Sequence, residues 1–430
     1  MLNRLILIFV LLWPGIDLLA QQAVSDTASV ALAEALQEAL TNNELLKKAA
    51  ARIKAGQAVL DQAGGEMLPK VDANFTYGYL DIVPGFKKVV LGNIQHDFSP
   101  TISINQPLYT GGRLQYNKEA AAAELKALEQ SFLSEEINLK LSVNVDYFQL
   151  ESLINQKQIL LENRKQLETH QRYARLLVEA GRMSQLELDR LAVALASVDG
   201  SLLKTDDDFQ TLSFEMSLLM GRKEPQVLLP RDTLQVLPFD QDPETLVQTA
   251  LQHNPVWKQL QWELRKAEAK VKIQQAARLP QVSAQAYYGY EFGPESFSFD
   301  KNKRYYWGLN ARMPLFDGKV IASKIEESKA GLEQLQWQRE YFQKNLVAQV
   351  QNGYSRLKEK EQQIGIQDQA LHHAEQSYRL ALIEYYAGRR SNTDLLEIQR
   401  TLLTSRLTLN QSILEYNIAR ARLLAIMGTL

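Results

Sequence analysis

The sequence predicts a mainly α-helical, internally duplicated fold that also supplies four β-strands to a membrane. Three observations carry this prediction. The second half of the chain repeats the motifs of the first at a nearly constant offset. Each half holds a helical run of about 68 residues (113–180 and 319–387). Each half also holds a pair of strand-length segments in which apolar, aromatic-rich positions alternate with polar ones.

The chain has 430 residues, with 48 Lys+Arg against 50 Asp+Glu and no cysteine. Near-balanced charge gives no basis for nucleic-acid binding. The absence of cysteine excludes disulfides, thiolate metal sites, cysteine nucleophiles and a lipid anchor on an N-terminal cysteine. At the N-terminus, Arg4 precedes an unbroken apolar run at 5–12. Pro14 and Gly15 break that run, and Leu18, Leu19 and Ala20 offer a cleavage site before Gln21. Residues 1–20 therefore read as an export signal, with an apolar run too short to span a bilayer. Beyond residue 20 no stretch approaches the ~20 apolar residues of a membrane helix. A membrane-spanning part of this chain must then be a β-barrel.

The duplication sets the organisation: a first repeat at 21–220, a connector at 221–242 and a second repeat at 243–430. Ala39, Leu40 and Asn43 recur as Ala250, Leu251 and Asn254, and Leu68-Pro69-Lys70-Val71 recurs as Leu279-Pro280-Gln281-Val282, both offset by 211. Pro107-Leu108, Ala180-Gly181-Arg182 and Met220-Gly221 recur as Pro314-Leu315, Ala387-Gly388-Arg389 and Met427-Gly428, all offset by 207. Each half opens with a helical segment (27–67; 243–279) that stops at Leu-Pro, since proline cannot continue a helix and favours an extended predecessor. Strands follow at about 71–83 and 98–108, then 281–293 and 303–315, with Pro69, Pro107, Pro280 and Pro314 at the helix–strand junctions. Ten-residue strands with one apolar and one polar face suit an outer-membrane barrel, but four are too few to close one, so several subunits must contribute.

The long helical runs would each span about 100 Å at 1.5 Å per residue. They carry an apolar seam at Leu125, Leu128, Leu139, Val143, Tyr147 and Leu150, repeated as Leu332, Leu335, Leu346, Val350, Tyr354 and Leu357. These are spacings of one coiled-coil-like face. Gly181 and Gly388 end the runs, as expected of residues free to take positive φ. Second helical runs (184–219; 391–427) return, and in each half the two shorter helical runs together match the long one in length, so they are expected to stack end to end beside it. The connector, with Pro225, Pro230 and Pro238, reads as loop with a short strand at 227–229.

The ordered set of Leu-Pro-x-Val, the strand pair, Pro-Leu-aromatic-x-Gly (Pro107 to Gly111; Pro314 to Gly318), the long helix, Ala-Gly-Arg and Met-Gly resembles TolC-type outer-membrane efflux proteins over essentially the whole mature chain. The resemblance implies a homotrimer with a 12-strand barrel among outer-membrane lipids and a long helical tunnel in the periplasm. It implies a passive exit duct for small molecules or, as in type I secretion, for protein, working with a periplasmic adaptor and an inner-membrane pump. Gly181, Arg182, Gly388 and Arg389 then mark periplasmic hairpin tips that meet the adaptor. Asp394 and Glu397 share a helix face and would form stacked acidic rings, a cation-selective constriction. Arg390 would tether neighbouring hairpins, with Glu187 as its acidic partner. The same four residues also fit an ordinary solvated helix face.

No catalytic or cofactor motif is present: there is no His-Glu-x-x-His, Gly-x-Ser-x-Gly or phosphate-binding glycine loop. His96, His170, His253, His372 and His373 form no metal-ligand pattern, because the adjacent pair at 372–373 diverges by about 100° on a helix. No enzyme, cofactor or metal is expected. The alternative from a different class is a periplasmic coiled-coil scaffold or adaptor without a pore, which does not account for the aromatic strand pairs.

Overall fold

The computed structural model describes residues 28–79, 96–290 and 303–430. The export signal and the strand ends beyond residues 79 and 290 lie outside them. In chain order the elements of the first half are β1 (Ala28–Val30), α1 (Leu32–Asn42), α2 (Glu44–Gly65), β2 (Lys70–Tyr79), β3 (His96–Tyr109), α3 (Arg113–Glu179) and α4 (Gln185–Leu219). After β4 (Leu228–Pro230) come α5 (Pro243–His253), α6 (Pro255–Ala276), β5 (Gln281–Tyr290), β6 (Lys303–Arg312), α7 (Val320–Tyr386) and α8 (Asn392–Met427). Among the described residues no helix is long and apolar enough to cross a membrane.

The helices form a wall of four columns. α3 packs against α2 and α4 on one side and against α6 and α8 on the other; α7 packs against α6 and α8. The shorter helices thus stack end to end, α2 on α4 and α6 on α8, beside the two long ones. The apolar seam closes the wall: Leu139, Val143, Tyr147 and Leu150 of α3 are buried, as are Leu346, Val350 and Leu357 of α7.

A buried asparagine forms each stacking joint. Asn43 caps α2 by accepting from the Leu45 and Leu46 amides, and its own amide donates to the last carbonyl of α4, Leu219, at 2.9 Å. Asn254 likewise caps α6 through the Trp257 amide and donates to Ile426 of α8 at 2.9 Å. The negative end of one helix dipole thereby meets the positive end of the next. The Met-Gly ends belong to the same joints. Gly221 and Gly428 take φ of +70° and +79°, and a Cβ there would lie 2.6 Å from the Asn42 carbonyl oxygen and 2.7 Å from that of His253. Residues 27–67 are therefore not one helix: β1 precedes two helices broken at Asn43, and residues 243–279 break at Asn254 in the same way.

β1 pairs in parallel with β4. Beside them Asp232 accepts from the Leu32 amide at 3.0 Å and from the Tyr147 hydroxyl at 2.8 Å, which seats the start of α1 on α3.

The other four strands form one antiparallel sheet in the order β2-β3-β5-β6. Its register aligns the alternation across all four strands. Ala73 pairs with Ile102, Ile102 with Tyr288 and Tyr288 with Tyr305, while Ile104 pairs with Ala286 and Ala286 with Trp307. One face is therefore apolar except for polar residues such as Gln106 and Lys303 toward its ends, and the other carries Asp72, Asn74, Thr101, Ser103, Asn105, Gln285 and Asn310 together with Tyr287 and Tyr306. The apolar face is open: Phe75 is 75% exposed and Trp307 81%. Pro69 and Pro280 stand immediately before β2 and β5, and Pro314 lies two residues past β6. Pro107 instead lies inside β3, where the register with β5 slips between Pro107 and Tyr109. A missing N–H is tolerated at such an irregularity.

Candidate functional site

The tips of the two helical hairpins bring together the charged residues singled out from the sequence. Both tips end in the same hydrogen-bonded turn. The Gly181 amide donates to Val178 and the Arg182 amide to Leu177; the Gly388 amide donates to Tyr385 and the Arg389 amide to Glu384. This paired pattern with glycine at positive φ is the Schellman motif. A Cβ on Gly181 or Gly388 would meet nothing within 4 Å, so glycine is required there by its φ of +67° or +72° and not by crowding. Arg182 and Arg389 are exposed.

The first turns of α4 and α8 are tied to each other. Glu187 Oε2 accepts from Asn392 Nδ2 at 2.7 Å and from Thr393 Oγ1 at 3.3 Å. Arg190 closes the set, donating to Thr393 Oγ1 at 2.6 Å and to Glu187 Oε1 at 3.1 Å. The expected partner of Glu187, Arg390, is elsewhere. Its guanidinium grips Glu384, at the end of α7, through Nε at 2.8 Å and Nη2 at 2.6 Å. Six residues separate Arg390 from Glu384 across the turn, so it clamps its own hairpin, while Asn392 and Thr393 carry the contact between hairpins.

Asp394 and Glu397 are exposed on the first turns of α8, and among the described residues no ion pair engages either carboxylate. The Asp394 amide donates to Ser391 Oγ at 3.1 Å, which caps the helix. Superposing the halves at the offset of 207 shows what is unusual here. Glu187 matches Asp394, and Arg190 matches Glu397. In the first tip the acid is neutralised by an arginine one helical turn on; in the second tip that arginine is replaced by another acid. The internal alignment was the signal that identifies Arg190, which a reading of single motifs passes over.

Just inside the tips lies a buried polar group also missed from the sequence. His170 of α3 is 4% exposed and meets the Tyr385 ring of α7 edge-on, with centroids 4.8 Å apart. Asn392 and Gln399 of α8 are buried beside it. Both imidazole nitrogens, Asn392 Oδ1, both polar atoms of the Gln399 amide and Tyr385 Oη have no hydrogen-bond partner among the described residues. Burial pushes the His170 pKa down to about 4, while Gln399 and Asn392 pull it the other way.

The family model for "Outer membrane efflux protein" matches the chain twice, at residues 35–222 and 246–429. The chain is 25% identical over 382 residues to the pyoverdine export outer membrane protein OpmQ of Pseudomonas aeruginosa, covering 85% of this chain and 78% of that one. It is 22% identical over 368 residues to the cobalt-zinc-cadmium resistance protein CzcC of Cupriavidus metallidurans, covering 84% and 85%. Among solved structures, the outer-membrane channel OprN superposes with a TM-score of 0.82 at 18% identity, covering 93% of this chain and 90% of that one. CusC gives 0.82 at 19%, covering 95% of each. With both halves matched by the same model and the whole wall and sheet shared with solved channels, this chain belongs to the outer membrane efflux protein family.

Proposed function

We propose that three copies of this chain close into an outer-membrane exit duct that conducts passively, gated at its periplasmic tips and energised by an inner-membrane pump through a periplasmic adaptor. The observation that supports this best is that wall and sheet both end in open edges. β2 and β6 each have one paired neighbour among the described residues. On the wall, the outer columns expose apolar side chains: Val193, Leu203 and Leu218 on α4, and Trp337, Tyr341 and Ile366 on α7. A neighbouring copy, bringing α7 against α2 and α4 and β6 against β2, covers both edges in one operation, and closed rotational symmetry is the usual way such complementary edges are satisfied. Three copies of four strands give twelve, enough for a barrel whose apolar face meets lipid.

At the other end, three copies set three Asp394 and three Glu397 around the axis. Converging unpaired carboxylates favour cations. Arg182 and Arg389, exposed at the tips beside Gly181 and Gly388, form the surface offered to the adaptor. Relatives named for pyoverdine export and cobalt-zinc-cadmium resistance support small solutes as the cargo.

The test is the mass of the protein extracted in detergent, corrected for bound detergent, followed by single-channel recording. A mass of three chains and cation selectivity that falls in the Asp394→Asn/Glu397→Gln variant are expected. A detergent-free soluble monomer would overturn the duct; selectivity unchanged in the double variant would overturn the acidic rings.

A further inference from the structure

A neutral histidine buried among three helices beside unpaired amides sits next to the tie between the first turns of α4 and α8. Asn392 links the two features. Its Nδ2 is held by Glu187 of α4, while its Oδ1 lies in the buried group around His170. Whatever moves His170 therefore bears on the contact between α4 and α8.

We propose that His170 is an acid-responsive latch: neutral, it keeps α3 packed on α7 and α8 behind the tips; protonated, it drives that joint open to reach water. The proposal rests on the tips acting as the closing end of the duct. A buried imidazolium needs a counter-charge or water. None of the groups that face His170 supplies a counter-charge. On its own helix Tyr173 is the ionisable neighbour, packed on Tyr385 and Tyr386. From α7 comes Tyr385, whose phenol burial pushes up to about 12, so it stays neutral. From α8 come Asn392 and Gln399, which do not titrate. From α4 comes Glu187, whose carboxylate is already engaged by Asn392, Thr393 and Arg190.

The direction follows from linkage. The folded pKa of about 4 lies below the ordinary 6.5, so the closed joint binds its proton less readily than a hydrated one. Stability of the closed joint is fully present above pH 6.5 and is lost as pH falls toward 4. Between pH 7 and pH 5 this favours the open joint by a factor on the order of ten.

Hydrogen exchange on the detergent-solubilised protein tests the latch without assuming a channel. After correction for intrinsic rates, protection of α3 residues 165–176 and α8 residues 395–403 is expected to fall about tenfold between pH 7 and pH 5 in the wild type. The same drop is expected to vanish in His170→Gln and in His170→Phe, two variants of different polarity that guard against one failing to fold. An equal drop in wild type and both variants, or none in the wild type, overturns the latch. Conductance recorded in parallel separates the two readings: lost protection with an unchanged pH profile of conductance shows that the joint opens but does not gate.

Discussion

Glu187 and Asp394 occupy equivalent positions in the two halves of the chain, yet one carboxylate is consumed by Arg190, Asn392 and Thr393 and the other, at the start of α8, has no ion-pair partner among the described residues. The residue one turn further on decides this, arginine in one half and Glu397 in the other. Duplication produced two copies of a helix start, and one change of sign separated a tether from a charge surplus.

A charge reversal at that position tests the separation. Glu397→Arg is expected to give the second tip the self-neutralised pair of the first, and to lower cation selectivity in bilayer recordings more than Glu397→Gln does. Equal effects of the two variants would show that the free carboxylate, and not the sign of the ring, is what counts.

The tether and the clamp are expected to behave differently. Glu187→Gln weakens two contacts between α4 and α8, to Asn392 and Thr393, and the Arg190 pair within α4, whereas Arg390→Ala removes a partly exposed pair within one hairpin, worth about 0.2–1 kcal/mol. Open-state occupancy in single-channel records should rise clearly for Glu187→Gln and little for Arg390→Ala. The reverse order would place the interhairpin restraint on Arg390 after all.

The asparagine joints are expected to hold the stacked columns together. Asn43→Ala and Asn254→Ala each remove a helix cap and leave a partly buried carbonyl without its donor, at a cost of about 1–3 kcal/mol. Because they lie in separate halves, the two losses should nearly add. Thermal denaturation followed by circular dichroism reads this; a double variant no worse than either single would show that the joints are not independent.

Glu151 predicts a pH dependence of opposite sense to that of His170. It is 4% exposed on α3, and burial together with the Asp232 charge raises its pKa to about 7. A carboxyl whose folded pKa exceeds its unfolded value stabilises the fold when protonated. That contribution is present at low pH and fades as pH climbs from about 4.5 through 7. Glu151→Gln should therefore raise the melting temperature at pH 8 and change it little at pH 4. A destabilising effect at pH 8 would mean that the ionised carboxylate has a partner.

The periodicity of the long runs and the alternation of the strands made the wall and the sheet legible, because both patterns report which face of a local element is apolar. The breaks at Asn43 and Asn254 were less so. Asparagine favours helix caps and Pro255 marks the second break, but the joint itself depends on Leu219 or Ile426 arriving from a distant helix to accept from the asparagine amide, which no local pattern records. β1 is three residues long and acquires its meaning from β4, some 200 residues away. His170 reads in the sequence as one polar residue among many on a long helix. Its burial is decided by α7 and α8 meeting α3, which no local pattern records. Among the tip residues, Glu187 is legible as an acid after a glycine, but within the chain Arg390 reaches Glu384 while Glu187 meets Arg190, Asn392 and Thr393; a pairing depends on side-chain reach across a turn, which spacing alone does not specify.

The open edges of β2 and β6 bear on how the protein comes into being. A single folded chain would present β2 and β6, each with one paired neighbour among the described residues, beside an aromatic face, a combination prone to pair with whatever strand arrives first. The isolated subunit is therefore a hazardous intermediate rather than a resting form. Its lifetime is set by how fast it meets its own kind, so productive refolding should slow on dilution while losses to misassembly mount at every delay. Synthesis, transit and membrane insertion are then in kinetic competition, and the edges proposed to join copies of this chain also set the time allowed for joining them.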